Sequence, residues 1–238
     1  MKIDANGKTQ EDLNEYIRRN KATLYEIDGC LGQRFIAAGA DDGRYLLRGT
    51  PGNALAAYCN GAYVEVDGNA QDAVGDTMNA GKIVVHGSVG DAVGYAMRGG
   101  SIFVKENAGY RAGIHMKEYK EKIPLIVIGG TAGSFLGEYQ AGGIIIVLGL
   151  NGKTPIVGNF PCTGMHGGKV LLRSLCKDVA FPKNVVLSTL SVRGSAFEPI
   201  LKEYCRIFGQ SENDVLDAEY TLVTPDDKNP YKQMYVQN

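Results

Sequence analysis

A glycine-rich segment recurs along the middle of the chain, and its spacing limits what the chain can fold into. Five copies share one template, and successive copies start 19, 19, 19 and 24 residues apart. The copies are GTPGNALA (49–56), GNAQDAVG (68–75), GSVGDAVG (87–94), ENAGYRAG (106–113) and GTAGSFLG (130–137). GNFPCTG (158–164) reads as a sixth copy that is one residue short. Of the 32 glycines, 25 lie between Gly49 and Gly168, so the repeat also marks a boundary in composition.

Each position of the template has its own chemistry. The second position carries small polar side chains, which hydrogen-bond to neighbouring backbone: Thr50, Asn69, Ser88, Asn107, Thr131 and Asn159. The third position is apolar: Pro51, Ala70, Val89, Ala108, Ala132 and Phe160. A β-branched run follows each copy, as in GKIVVH (81–86) and GIIIVL (143–148), and such runs bounded by glycine predict strands.

The length of the repeat favours one fold over another. A unit of 19 residues is too short for a strand–helix–strand crossover, which takes roughly 30 residues. It suits one turn of a parallel β-helix, in which equal template positions stack and small polar side chains form ladders. The sequence therefore predicts an all-β solenoid, a single-stranded right-handed parallel β-helix.

Glycines of the template are predicted to have a structural role. We expect them at corners with positive φ, or where successive backbones approach too closely for a Cβ atom. These structural-repeat glycines are Gly49, Gly52, Gly68, Gly75, Gly87, Gly90, Gly94, Gly109, Gly113, Gly130, Gly133, Gly137, Gly164, Gly167 and Gly168.

The flanks of the repeat predict covers for its two ends. The predicted parts are an N-terminal helix and end cover (1–45), the β-helix (46–173) and a C-terminal helical and extended appendage (174–238). Thr9 is a candidate N-cap for a helix over 9–19, and 196–209 has strong amphipathic helical spacing. The tail 220–238 is predicted to be extended. IHMKEYKEK (114–122) interrupts the repeat and is expected to project as a loop.

Charge and apolar content exclude several function classes. With 25 Lys plus Arg against 26 Asp plus Glu, a nucleic-acid or membrane-surface partner is not expected. Purely apolar runs such as 144–148 are far shorter than the roughly 20 residues that span a membrane. The start is polar, without a secretory signal, and the five cysteines form no CxxC motif. We therefore expect a cytoplasmic protein, for which a homo-oligomer remains open.

No motif for catalysis, cofactor binding or metal binding is complete. GDTMNAGKI (75–83) has five residues between its glycines where a phosphate loop has four, and Ile83 stands where Mg²⁺ coordination needs Ser or Thr. HGSVG (86–90) has a histidine where a nucleophile elbow has its first glycine. The sequence predicts no catalytic residue, no cofactor and no metal site on this chain.

Three histidines and one carboxylate pair are the remaining candidates. His86, His115 and His166 have no His or Cys three or four residues away, so a zinc site is not predicted. Asp72 and Asp91 share the fifth template position, where a carboxylate pair could act as in some polysaccharide enzymes. We interpret both as polar corner residues, because the other copies carry different side chains at this position: Asn53, Tyr110, Ser134 and Cys162.

The repeat resembles a known family. Residues 49–87 are similar to the start of the C-terminal domain of the glutamate synthase large subunit, the GXGXG domain. Residues 130–149 and 158–173 resemble its later copies, including the Gly-Met-x-Gly-Gly ending at 164–168. The resemblance covers about half the chain. The C subunit of formylmethanofuran dehydrogenase is similar in the same repeats.

This resemblance implies a right-handed parallel β-helix without catalytic residues of its own. It suggests a non-catalytic scaffold subunit of a glutamate-synthase-like complex, with a glutaminase-type amidotransferase subunit and an FMN-dependent, iron–sulfur synthase subunit as partners. One alternative is the equivalent scaffold of a formylmethanofuran-dehydrogenase-like complex. Another is a solitary β-helix protein that acts on polysaccharides.

Overall fold

The computed structural model describes residues 1–226, which form one sheet of eleven strands and three short helices. The strands are β1 (Lys2–Asp4), β2 (Leu24–Leu31), β3 (Arg44–Thr50), β4 (Asn60–Asp67), β5 (Ala80–Val85), β6 (Ser101–Val104), β7 (Leu125–Ile128), β8 (Ala141–Val147), β9 (Gly167–Leu172), β10 (Val185–Leu190) and β11 (Tyr220–Pro225). The helices are α1 (Gln10–Arg19), α2 (Glu198–Phe208) and α3 (Glu212–Leu216).

The sheet follows the chain from β1 to β9, and neighbouring strands in this part are parallel. Equal positions of the repeat face one another: Val64 pairs with Ile83, and Ile83 pairs with Ile102, at steps of 19 residues. The step from Ile102 to Ile126 is 24 residues, because five extra residues lie between Lys117 and Leu125, in the second half of the predicted insertion 114–122. β11 pairs antiparallel with β9, and β10 lies beyond it at the edge of the sheet.

The middle of the sheet is buried on both faces. On the inner face, Ile83 and Ile102 pack against the turns that connect the parallel strands. On the outer face, Phe103 and Ile146 pack against the side of α2 that carries Tyr204. A parallel sheet covered on both sides has strands that are continuously apolar, which accounts for the β-branched runs of the repeat.

The connections of the repeat contain seven turn segments with an unusual backbone. We define the turn segments as residues 35–39, 54–58, 73–77, 92–96, 111–115, 135–139 and 160–164. The first, third and fifth residue of each have positive φ. Because the conformation alternates, successive N–H groups point to opposite neighbours. The Ala92 N–H donates to the Tyr110 carbonyl of the next repeat, and the Gly94 N–H donates to the Val74 carbonyl of the previous one, both at 2.8 Å. The turn segments therefore stack through backbone hydrogen bonds, as buried peptide groups require.

The prediction of an all-β, single-stranded right-handed parallel β-helix is wrong. The described residues form a single open sheet, mostly parallel, with two antiparallel pairings at one side and three helices. The physical reason lies in the turn segments, whose alternating left-handed residues cannot form extended strands. Adjacent to them the chain makes only isolated parallel bridges, such as those that join Ala70 to Val89 and Val89 to Ala108.

The two predicted helices are confirmed. Thr9 caps α1 by accepting a hydrogen bond from the Asp12 N–H at 3.1 Å, and α1 buries Leu13 in the inner core. α2 ends at Gly209, which has the left-handed φ of 65° typical of a helix end. In the tail predicted to be extended, β11 is a strand, whereas residues 227–238 lie outside the described part of the chain.

A glutamine interrupts a buried column of the inner core. Gln140 donates from Nε2 to the carbonyls of Gly142 and Gly143, at 3.2 and 3.1 Å. Its Oε1 is fully buried and has no hydrogen-bond partner among the described residues. The equivalent residues of four other repeats are buried methionines: Met78, Met97, Met116 and Met165.

We expect Gln140→Met to raise the free energy of unfolding by about 1 kcal/mol, because removing the buried Oε1 and adding apolar packing outweighs the loss of the two long Nε2 hydrogen bonds. The reciprocal change Met97→Gln is expected to lower it by about 1–3 kcal/mol, because it buries an amide in an apolar column. Denaturant unfolding of both variants and the wild type measures the difference. A lower stability of Gln140→Met would contradict this account of the column.

Gly94 is expected not to tolerate a side chain. Its φ is 67°, and an added Cβ would lie 2.4 Å from Cδ1 of Ile126 on the inner face. Gly94→Ala should therefore lower the free energy of unfolding by about 1–3 kcal/mol. Ala92→Gly, in the same turn segment with a φ of 57°, is the matched control and should change stability by less than about 1 kcal/mol. Thermal unfolding of the two variants distinguishes these outcomes.

Candidate partner-binding surface

The small polar side chains of the repeat hold successive repeats together. Asn69 Oδ1 accepts a hydrogen bond from the Ser88 N–H at 2.8 Å, and Asn107 Oδ1 accepts one from the Thr131 N–H at 3.0 Å. The Thr131 hydroxyl donates to the same Asn107 oxygen, also at 3.0 Å. These side chains therefore satisfy backbone donors at the corners. Ser88 Oγ likewise accepts from the Asn107 N–H at 3.3 Å, which favours this role over that of a nucleophile.

The two aspartates considered as a carboxylate pair belong to an equivalent column. Asp72 Oδ1 accepts from the Asp91 N–H at 2.9 Å, and Asp91 Oδ1 accepts from the Tyr110 N–H at 2.8 Å. Asn53 Oδ1 in turn accepts from the Asp72 N–H at 3.3 Å. Each carboxylate thus binds the backbone of the following repeat, which favours the corner interpretation over paired acid–base chemistry.

The sixth copy of the template was aligned incorrectly from the sequence. The N–H of Asn159 donates to Ser134 Oγ at 3.0 Å, which places Asn159 at the fifth position of the template, not the second. Val157 bridges to Ala132 and occupies the third position that Phe160 was predicted to fill. Cys162 therefore takes the place of Gly137, and Gly164 lies beside Tyr139, whose ring is 2.4 Å from where a Cβ of Gly164 would be.

The structure places the three histidines in different surroundings. His115 lies in a turn segment on the surface, and His166 lies just before β9. His86 follows β5 on the outer face, where its ring meets that of Phe208 edge-on with centroids 5.3 Å apart. No group of three or more potential metal ligands occurs within residues 1–226.

His86 belongs to a polar cluster next to α2. Its Nε2 lies 2.8 Å from Glu65 Oε1, and the Tyr63 hydroxyl donates to Glu65 Oε2 at 2.8 Å. Burial alone would raise the pKa of Glu65, but the hydrogen bonds of His86 and Tyr63 and the nearby charges, including Arg44, lower it below its ordinary value. Burial and the adjacent carboxylate raise the pKa of Tyr63 to about 12. The cluster stabilises the outer face beside Phe208.

The cysteines have no features of nucleophiles. Cys30, Cys59, Cys162 and Cys205 are buried, and none of the five is in a disulfide. Burial raises the pKa of the Cys30 and Cys162 thiols to about 12. Since the thiolate is the reactive form, these residues act as small apolar side chains.

A groove of about 1050 Å³ lies between α1 and the first turn segment. The rings of Tyr25 and Tyr45 stack in its wall with centroids 4.6 Å apart. Its rim carries Glu11 and Asp42 as well as Arg18, so both signs of charge are present. This mixture identifies no particular class of ligand.

Exposed rings lie side by side on the turn segments of the later repeats. We define the aromatic surface as Tyr95, Arg111, His115, Phe135, Tyr139 and Phe160. The His115 and Tyr139 rings stack with centroids 5.2 Å apart, and Tyr95 meets His115 edge-on at 6.0 Å. Although the sequence placed His115 in the insertion 114–122, it belongs to a turn segment of the repeat, and the extra residues begin after Lys117.

A second group of rings continues the aromatic surface. Phe135 and Phe160 stack with centroids 5.4 Å apart, and the Arg111 guanidinium lies 4.8 Å from the centre of the Phe135 ring. Arg111 Nε also pairs with Glu138 Oε2 at 3.1 Å. Since Glu138 precedes Tyr139 in the chain, Arg111 connects the two groups. Phe160 is 61% exposed, so its ring is largely uncovered in the isolated chain.

The aromatic surface is energetically unfavourable for the isolated chain. Five of its six residues have positive φ, where a bulky side chain costs on the order of 1–2 kcal/mol: Arg111, His115, Phe135, Tyr139 and Phe160. The equivalent positions of the third and fourth turn segments have small residues, such as Ala73, Ala92 and Thr77, whereas the first two segments have one isolated ring each, Phe35 and Tyr58. Aromatic residues and arginine are enriched where proteins bind each other. The combination of strain and exposure therefore indicates a surface that a partner covers.

The sequence interpretation missed this surface. Its residues lie at the sixth position of the template, beyond the end of the template, or in the misaligned sixth copy. A signal is present, because bulky residues replace Ala, Gly or Thr at fixed steps in GYRAGIH (109–115), GSFLGEY (133–139) and GNFPCTG (158–164). Reading it requires knowing that these steps are the positive-φ positions.

Comparison with known proteins identifies the family. The sequence matches the GXGXG motif family over residues 5–220. The chain belongs to the GXGXG motif family. The uncharacterized protein MJ1350 of Methanocaldococcus jannaschii is 44% identical, in an alignment that covers 98% of this chain and 95% of that protein.

A solved structure has a similar fold. A chain of the formyltransferase/hydrolase complex (FhcABCD) from Methylorubrum extorquens, determined with methylofuran, superposes with a TM-score of 0.65. The match covers 94% of this GXGXG chain and 90% of the other, at 19% identity. At that identity the similarity concerns the fold.

Across the described residues, no helix has the length and apolar character needed to cross a membrane.

The polar cluster beside α2 predicts a stability change in acid. The Glu65 pKa is lowered in the folded chain, so its contribution is present above the ordinary pKa of 4.5 and is lost as the pH falls through the folded value. Glu65→Gln should therefore lower the thermal midpoint at pH 7 and flatten its fall below pH 4.5. Thermal unfolding as a function of pH measures both effects. Glu121→Gln, in the exposed insertion, is the control and should follow the wild type.

Proposed function

We propose that this GXGXG chain is a non-catalytic scaffold subunit of a multisubunit enzyme, of the kind represented by the formyltransferase/hydrolase complex. The aromatic surface is the observation that carries the proposal. It exposes rings held in an unfavourable backbone conformation, and covering it by a partner subunit would offset that cost. The fold similarity supports this type of complex, because that neighbour was solved as part of a multisubunit assembly.

The architecture suits a scaffold. The parallel sheet is buried on both faces, and each repeat is bonded to the next through backbone and small polar side chains. The aromatic surface lies on turn segments that belong to this stack. A partner bound there would therefore have a defined position relative to the rest of the assembly.

A glutamate-synthase-like complex is the second candidate. The family match over residues 5–220 supports it at the level of the domain. In this case the partners would be a glutaminase-type amidotransferase subunit and an FMN-dependent synthase subunit. Fold similarity to the formyltransferase/hydrolase complex favours the first candidate over this one.

Other parts of the sequence interpretation remain proposals. These are the division at 1–45, 46–173 and 174–238, the structural role of the repeat glycines, and the lack of catalytic, cofactor and metal sites. A cytoplasmic location is supported by the buried reduced cysteines of residues 1–226. A solitary polysaccharide-active protein is disfavoured, because Asp72 and Asp91 bind backbone N–H groups.

Native co-purification from the source organism tests the proposal. We expect the tagged full chain to capture subunits of a formyl-transferring enzyme, identified by mass spectrometry of the complex. Capture of a glutaminase and an FMN-containing synthase would instead establish the second candidate. Flavin absorbance or substrate turnover by the chain alone would contradict a scaffold role.

The same experiment tests the aromatic surface. Tyr139→Ser combined with Phe160→Ser should weaken capture of the partner about tenfold or more, since central aromatic residues dominate interface energies. Tyr58→Ser is the matched control, because Tyr58 has a similar φ of 58° and is 60% exposed but lies in an earlier turn segment. If the wild type, the double variant and Tyr58→Ser captured the partner equally, the aromatic surface would be ruled out as the contact.

A further inference from the structure

The two edges of the sheet are protected to different degrees. β1 forms one edge, has only three residues and places charged Lys2 and Asp4 on either side of buried Ile3. β10 forms the other edge of the described sheet and has six residues, VVLSTL, none of them charged. Short length and charge are the usual means by which proteins prevent an edge strand from pairing with another chain. β1 has both, and β10 has neither.

Within residues 1–226 no strand pairs with the free side of β10, and its four middle residues are exposed. It pairs with β11 along its whole length, from Val185 opposite Pro225 to Leu190 opposite Tyr220. In an antiparallel pair, alternate residues direct their N–H and C=O groups away from the partner. The successive residues Val186 and Leu187 are 49% and 48% exposed, although one points to each face. Unpaired backbone and apolar side chains thus occur together.

We propose that β10 pairs antiparallel with β10 of a second copy of this chain and forms a two-fold symmetric dimer. Because directly opposite residues of an antiparallel pair point to the same face, the two-fold axis has to pass at one residue of the strand. At Leu187 it places Val186 opposite Ser188 of the second copy, so no like charges meet. The nearest charges also permit this arrangement: Lys183 precedes the strand and is opposed by apolar or polar residues, and Arg193 after it is already paired with Asp217. The two sheets would then form one continuous sheet across the axis.

The contact is expected to be weak. Six residues of strand bury less surface than the 1,200–2,000 Å² that is typical of stable complexes. The exposed side chains of Val186 and Leu187 add apolar contact above and below the paired backbone. The full chain should therefore show a concentration-dependent equilibrium between monomer and dimer. This contact uses none of the aromatic surface, so the inference does not rest on the proposed function.

Opposite charges introduced at one residue in the middle of β10 test the dimer, because the mixture of the two variants serves as the control for each of them alone. Ser188 is exposed and lies near the centre of the strand, so Ser188→Lys brings two ammonium groups together across the axis. Ser188→Lys and Ser188→Glu alone should each raise the dissociation constant about tenfold or more, because like charges oppose each other. Mixing the two variants should restore a heterodimer. Sedimentation equilibrium of the full chain at several concentrations measures each constant.

The control is Leu31→Lys, which adds the same charge at a residue that is 82% exposed at the end of β2. It should dimerise as the wild type does, and all variants should keep the wild-type thermal midpoint. A wild-type chain that stays monomeric at every concentration would overturn the proposal. So would equal dimerisation of Ser188→Lys and wild type, or a dimer that forms only after residues 227–238 are deleted, which would mean that the tail covers β10.

Discussion

The structure depends on backbone hydrogen bonds between successive repeats. In the strands these bonds form an ordinary parallel ladder, and in the turn segments alternating left-handed residues direct successive N–H groups to opposite neighbours. The repeats must therefore approach to strand spacing all along their length. Where an added Cβ would meet backbone, as at Gly49, only 2.3 Å from the Cys30 carbonyl oxygen, no other residue fits. We propose that this requirement explains the glycines of the repeat.

The same stacking explains why the sheet needs its C-terminal helices. Repeats that stack closely give a sheet whose outer face is apolar along β5 to β9. Helices α2 and α3 cover that face, and the Tyr204 hydroxyl reaches the Lys105 carbonyl at 3.2 Å. A side chain at Gly129 would collide with this hydroxyl. The appendage is thus part of the core, although its sequence has none of the repeat.

Much of the strand arrangement was predictable from the sequence, because the 19-residue step and the β-branched runs set the register, as the pairing of Ile83 with Ile102 shows. The conformation between the strands was not. Alanine at 54, 73 and 92 gives no sign of positive φ, which is imposed by stacking and not by local preference. This error led to the wrong fold class, to the shifted sixth copy and to the missed aromatic surface. The helices were found because capping and apolar periodicity are local signals.

The order of strands also has a consequence for synthesis. β1 to β9 can add to the growing sheet in the order in which they leave the ribosome, since each neighbour precedes the next in the chain. β10 emerges before β11 yet lies outside it, so it has no place to bind until β11 has paired with β9. The edge of β9 therefore stays open until β11 has been synthesised. A nascent chain stalled after α2 would present this edge to other nascent chains or to chaperones.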